Sequence, residues 1–253
     1  MLQSMGLQRV RQDLATEQQD EDVNGLFSHL ESVKSQTFSD YEYIVVDGAS
    51  VDSTLEIVQR ATADMPRTTV KSEKDKGIYY AMNKGLDLSI GEYVIFLNAG
   101  DTFSDNDVLY RIADAAKRTH ADIIYGQTQI VNKERKVIGM RHLTAPEHLE
   151  FDDFKRGMLV CHQAFIPRRK IARHYNTEYL FSADYEWCLR CLRQSKRNFY
   201  IGGTIINYLD GGTTNKNHKA SLKERFKIMS QYYGLFPTIL RHISFIPRYL
   251  ARR

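Results

Sequence analysis

Residues 75–101 constrain this chain more than any other stretch. The stretch opens on a turn signal, Asp75-Lys76-Gly77, and runs on through Ile78-Tyr79-Tyr80-Ala81-Met82-Asn83-Lys84-Gly85, rich in good helix formers. Gly85 and Gly91 are expected to close that helix, and Tyr93–Leu97 is an apolar run of strand length. The strand then meets a small-residue turn, Asn98-Ala99-Gly100-Asp101. A carboxylate just past the carboxyl end of a buried strand, in an α/β setting, stands where such sheets bind ligands.

The text on either side repeats the same grammar. Leu26, Leu30 and Val33 recur at helical spacing, and residues 43–46 (Tyr-Ile-Val-Val) read as a buried strand. Asp47-Gly48-Ala49-Ser50 turns the chain into a helix over Leu55, Ile57 and Val58, and residues 68–71 form a short strand. A helix over 105–117 and a strand over 123–125 follow, then a hairpin around Asn132-Lys133-Glu134 within 127–141. Residues 142–182 are irregular apart from a short strand near 163–166; 184–194 read as a helix and 199–208 as a strand. Helices interrupted by Pro237 and Pro247 finish the chain. Alternating strands and helices predict an α/β fold: a doubly wound, mostly parallel sheet with helices on both faces, in a single domain over 24–215.

Residues 1–23 break the pattern. They are Gln-rich and acidic, with few apolar side chains and no alternation, which predicts a disordered or helical leader in place of a first strand. The other end is basic. From Lys216 onward nine Lys and Arg face one acid, Glu224, giving +8 for residues 216–253 and, against a total of +4, −4 for residues 1–215. A basic terminal segment points to an anionic partner, and its Phe236, Leu240, Ile243, Phe245 and Ile246 suit either a membrane surface or packing on the core. No apolar run approaches the roughly 18 residues of a membrane span, and no cleavable signal is visible. Three cysteines, Cys161, Cys188 and Cys191, are too few for a disulfide framework; the Cys188/Cys191 pair lacks the second ligand pair of a zinc site and reads as buried thiols.

Three carboxylates stand at turn positions. Asp47, between a strand and a helix, suits ribose hydroxyls or a base edge, or merely a turn. Asp101, with Asn98 beside it, offers oxygens to a hard cation, or again caps a turn. Asp184, in Ser182-Ala183-Asp184-Tyr185-Glu186-Trp187, reads by spacing as a helix cap ahead of a general base. His162 reads as a structural histidine and His218 as a solvated one. A dinucleotide-dependent oxidoreductase is disfavoured because no GxGxxG follows any strand, and paired carboxylates for glycoside hydrolysis would leave the Asn98–Asp101 turn unexplained.

The segments SQTF (35–38), IVVDGASVDSTLEI, EKDKGIYYAMNKG, GEYVIFLNAGD and SADYEWCLR stand in the order and spacing of family 2 glycosyltransferases of the GT-A fold, which this chain resembles over residues 24–234. It is similar to bacterial members that act in surface-polysaccharide assembly. The resemblance implies inverting transfer from a nucleotide sugar, UDP-linked, to a glycan or lipid-linked hydroxyl, in the cytoplasm or at the inner membrane face. It implies that Asp47 contacts the nucleoside, and that Asp75 and Gly77 pack on the nucleotide. By the same resemblance Asn98 and Asp101 hold Mn²⁺ or Mg²⁺ on the donor diphosphate, and Asp184 is the base. The chain departs from the pattern at its metal motif, where Asp101 is the only carboxylate, and at residues 1–20, where members carry an apolar first strand. That second departure is the ground for an alternative: a fold-retaining pseudoenzyme or binding protein with an impaired donor site.

Overall fold

The computed structural model describes residues 2–6, 16–211 and 218–250. Its first sheet is built from the expected parallel strands: β2 (Tyr41–Asp47), β3 (Thr68–Ser72) and β4 (Tyr93–Leu97). β2 and β4 are apolar nearly throughout because both faces are covered, as strands of parallel sheets require.

The amino terminus corrects the expectation of a missing first strand. Residues Leu2–Gly6 form β1, which lies between β2 and β4 and pairs in parallel with both, Leu2 facing Tyr41 and Tyr93 and Gly6 facing Val45 and Leu97. The sheet order is therefore β3-β2-β1-β4, with β1 interior. Pattern reading missed β1 because its sequence, LQSMG, has no strand periodicity. The strand answers a backbone demand: the facing edges of β2 and β4 carry amide and carbonyl groups that need partners wherever they are buried. Residues 16–23, also assigned to the leader, open the 19-residue helix α1 (Thr16–Lys34). Residues 7–15 lie outside the described residues. The alternative of an impaired donor site loses the premise on which it stood.

Helices cover this sheet. α1 buries Leu26, Leu30 and Val33, α2 (Thr54–Thr62) buries Ile57 and Val58, and α3 (Ile78–Leu88) buries Tyr79, Met82 and Leu86. α3 runs through Gly85, which is buried inside it, rather than ending there; Ser89 closes it, its amide and hydroxyl both donating to the Leu86 carbonyl.

The remaining strands form a second, mixed sheet. β5 (Thr102–Phe103), β9 (Asn198–Leu209), β6 (Ile123–Val131) and β7 (Val137–Met140) follow in that order, and β8 (Phe165–Pro167) pairs with the first half of β6. β6 and β9 are parallel; the other pairings are antiparallel. The β6–β7 hairpin turns where expected, Asn132 and Lys136 bonding across it. An isolated bridge between Tyr93 and Arg168 joins the sheets, and one hydrophobic core runs beneath both. Helix α4 (Val108–Thr119) packs its Val108, Leu109 and Ile112 face into that core. α5 (Ala183–Gln194) is buried along most of its length, including the free thiols Cys188 and Cys191. At the carboxyl end α6 (His218–Tyr233) and α7 (Leu235–Leu250) meet at Gly234, whose φ of 90° a residue with a Cβ would resist. The break falls there and not at a proline: Pro237 sits in the first turn of α7, where its missing N–H costs nothing.

Candidate active site

All strands of the first sheet run the same way, so their carboxyl ends share one edge. Asp47 ends β2 and is registered against Ser72 at the end of β3. It is only 4% exposed, yet well satisfied: Oδ2 accepts from the Ser50 amide (3.0 Å) and the Ser72 hydroxyl (2.6 Å), and Oδ1 from the Ser50 hydroxyl (2.5 Å). Burial pushes this carboxyl up, but the serine donors outweigh it and hold Asp47 below the usual range.

The loop from β3 to α3 brings Asp75 and Gly77 to the same edge. Lys84 Nζ, from the second turn of α3, lies 2.5 Å from Asp75 Oδ1 as an ion pair, out of line with a hydrogen bond. Asp75 Oδ2 is buried with no hydrogen-bond partner among the described residues. Gly77 precedes α3 with φ 147°, and a Cβ there would meet open space.

Two strands from Asp47, roughly 10 Å at sheet spacing, β4 leads into the Asn98–Asp101 turn, where the Asp101 amide donates to the Asn98 carbonyl. Gly100 makes that turn at φ 89°, and a Cβ on it would lie 2.7 Å from Leu209 Cδ2. Asn98 is half-buried; Asp101 is 3% exposed at the junction of the two sheets. Its Oδ1 accepts from the Leu209 amide of β9 (2.9 Å) and its Oδ2 from Gln163 Nε2 (2.7 Å). Burial dominates here and pushes the carboxyl up to about 7, against the pull of these donors and of Arg135. Arg135, at the tip of the β6–β7 hairpin, ties the turn to α1 by donating to the carbonyls of Gly100 and Gly25.

Asp184 lies in the first turn of α5, half-buried; the cap position belongs to Ser182, two residues earlier than the spacing suggested. Asp184 Oδ1 accepts from the Tyr185 amide (2.8 Å) and the Tyr79 hydroxyl (3.3 Å). Burial, reinforced by the Asp184 charge, raises Tyr79 far above the ordinary phenol, which keeps it a donor. Tyr79 stacks on Tyr175, whose hydroxyl shares a 2.6 Å hydrogen bond with His162 Nε2. Gln163, which bonds Asp101, follows His162 in the chain, so the side chains at Asp184 and at Asp101 are tied together through the backbone of residues 162 and 163. Burial lowers His162 to about 4 among Phe96, Tyr175 and Trp187. The side chain of His218 lies outside the described residues.

Sequence reasoning missed three partners. His29 donates from Nδ1 to the Asp101 carbonyl (2.9 Å) and accepts at Nε2 from the Tyr43 hydroxyl (2.9 Å), and burial lowers it to about 4. Its signal was present, a histidine on the Leu26/Leu30/Val33 face of α1. Gln163 and Arg135 carried no signal, since their partners lie 62 and 35 residues away.

No group of three or more metal-ligating side chains occurs among the described residues. The donor set at Asp101 still suits one kind of ion. Each carboxylate oxygen has one protein donor and a second lone pair, and the buried charge has too little positive compensation to stay ionised easily. A hard cation that takes one carboxylate and completes its shell with substrate oxygens and water fits these residues.

Comparison with known proteins finds relatives in both sequence and structure. The model of the glycosyl transferase family 2 matches residues 28–175, and enzymes of that family generally use a divalent metal. A PGL/p-HBAD biosynthesis glycosyltransferase of Mycobacterium tuberculosis is 33% identical over 167 residues, 64% of this chain and 62% of that protein. The match thus spans less than two thirds of that relative. A cholesterol galactosyltransferase of Borreliella burgdorferi is 31% identical over 111 residues, 42% of this chain and 31% of that protein. The crystal structure of S. aureus TarS 1–349 in complex with UDP-GlcNAc has the same fold, with a TM-score of 0.72 over 96% of this chain and 73% of that one, at 16% identity.

Proposed function

Since the chain belongs to glycosyl transferase family 2, we propose that it transfers a sugar, with inversion, from a UDP-linked donor to a hydroxyl of a glycan or lipid-linked acceptor in polysaccharide or glycolipid synthesis. The observation that carries this reading is the division of labour among its carboxylates. Asp47 is internally satisfied at the sheet edge, Asp101 is buried and short of positive charge two strands away, and Asp184 stands at the far end of an aromatic relay. The relatives are named for sugar transfer, one of them to a sterol, and the TarS structure holds UDP-GlcNAc.

In this reading Asp47 and Asp75 hold the nucleoside, Asp75 through its unpartnered Oδ2, and Gly77 leaves room for the nucleotide to approach the backbone. Asp101, with Asn98 beside it, holds Mn²⁺ or Mg²⁺, which when bound supplies positive charge against the leaving diphosphate. Asp184 takes the proton of the acceptor hydroxyl, and the Tyr79 hydroxyl holds its carboxylate in place. Direct displacement by that hydroxyl inverts the anomeric centre, with the fixed positions of donor and acceptor supplying much of the rate.

A screen of UDP- and GDP-sugars for hydrolysis and transfer, with the product anomer read by NMR coupling constants, tests the reading. Turnover of a UDP-sugar with inverted configuration is expected. A retained anomer would remove Asp184 as direct base, and absence of UDP binding with Mn²⁺ present would remove the transferase reading itself.

A further inference from the structure

Helix α7 is inside-out. Leu235, Phe236, Ile239, Leu240 and Ile243 fall within one side of its helical period, and all five are exposed, Phe236 to 72%. The opposite side turns polar groups inward: Thr238 is 1% exposed and bonds back to the Gly234 carbonyl, and half-buried His242 packs edge-on against Phe226. A surface helix ordinarily does the reverse, so the exposed apolar row needs an occupant.

The charge of the segment says which. The segment from Lys216 onward carries +8, so two copies apposed through α7 would bring like charges together, whereas an anionic surface is attracted. No helix among the described residues is long and apolar enough to cross a membrane, and a helix with these two faces lies in the interface plane instead.

We propose that α7 docks this protein on an anionic lipid bilayer, its row of Leu235, Phe236, Ile239, Leu240 and Ile243 entering the acyl boundary. The inference rests on α7 and its surroundings, not on the catalytic reading, so either can fail alone.

The test is sedimentation of the full chain with vesicles of phosphatidylcholine, with and without phosphatidylglycerol, alongside light scattering of the protein alone. Binding to the anionic vesicles is expected, weakening on the order of 10-fold when salt is raised from low to about 0.5 M. The triple variant Phe236→Ser/Leu240→Ser/Ile243→Ser should lose on the order of 100-fold in vesicle affinity. Its melting temperature should not fall, because the three side chains are exposed. Lys219→Glu/Lys223→Glu, both exposed on α6, gives an independent reading and should weaken binding to anionic vesicles only. Equal binding by the triple variant overturns the proposal, as does failure of the wild-type chain to bind anionic vesicles. A dimer that the same triple variant dissolves would assign the row to a second copy.

Discussion

Asp47 and Asp101 are both nearly closed to solvent on one sheet edge, but Asp101 lies far deeper in the protein, and the protein treats them in opposite ways. Asp47 collects donors from Ser50 and Ser72 and is held below the usual carboxylate range; Asp101 has the Leu209 amide and Gln163 and is pushed up to about 7. The surroundings differ as much as the donors. The Asp47 turn is local, its Gly48 open to solvent-sized space, whereas the Asp101 turn is wedged between two sheets with Gly100 against Leu209. Low exposure alone therefore does not set the charge state; the depth of burial weighed against the count of donors does. A satisfied carboxylate can recognise a neutral ligand unaided. An undercompensated one is best completed by a cation.

The largest expected effect lies beyond both residues and shows whether the Asp101 side serves chemistry or only binding. Asp184→Asn should lower kcat by about 10²–10⁴-fold while leaving donor affinity intact, since a base acts on the acceptor. Wild-type turnover by this variant would remove the assignment.

Next comes the contrast itself. Asp101→Ala should weaken UDP-sugar binding about 10- to 100-fold, the range of a lost contact to a charged group, and EDTA should reproduce the loss in the unaltered chain. Asp47→Ala should cost a similar or smaller factor that EDTA does not reproduce. Calorimetry with and without Mn²⁺ separates them, and equal metal dependence in both variants would erase the distinction.

The pH response sharpens it. Asp101, raised in the fold, contributes stability that is complete below its unfolded pKa near 4 and lost as pH rises through about 7. His29 and His162, lowered to about 4, act the other way, their contribution being lost as pH falls from about 6.5 to 4. Without metal, the two histidines outweigh Asp101 between pH 4 and 6.5, so the melting temperature should rise with pH there. Asp101→Asn should steepen that rise and remove the decline towards pH 7. A profile unchanged by Asp101→Asn would contradict the raised carboxyl.

The smallest effect concerns the turns. Gly100→Ala, at positive φ and against Leu209, should destabilise by about 1–3 kcal/mol. Gly48→Ala, with open space around it, should stay within about 0.5 kcal/mol. Denaturant unfolding of the two variants measures the difference.

Local grammar determined much of this protein. The apolar runs of β2 and β4, the helical spacing of α1 through α5, and turns carrying Asp47 and Asp101 just past their strands are short-range facts, legible because periodicity and turn chemistry act within a few residues. The ordered motifs added the family and with it the expected roles of Asp75, Gly77, Asn98 and Asp184. Tertiary structure decided the rest. β1 has no pattern of its own and exists because two neighbours offer it backbone partners on both sides. The strands divide into two sheets because β9 pairs with β6 and β5 rather than with β4. The state of Asp101 is set by its burial and by Gln163 and Leu209, which lie 62 and 108 residues away in the chain. A side chain's type is written in the sequence, but its donors and its distance from water are properties of the fold, and these fix its charge.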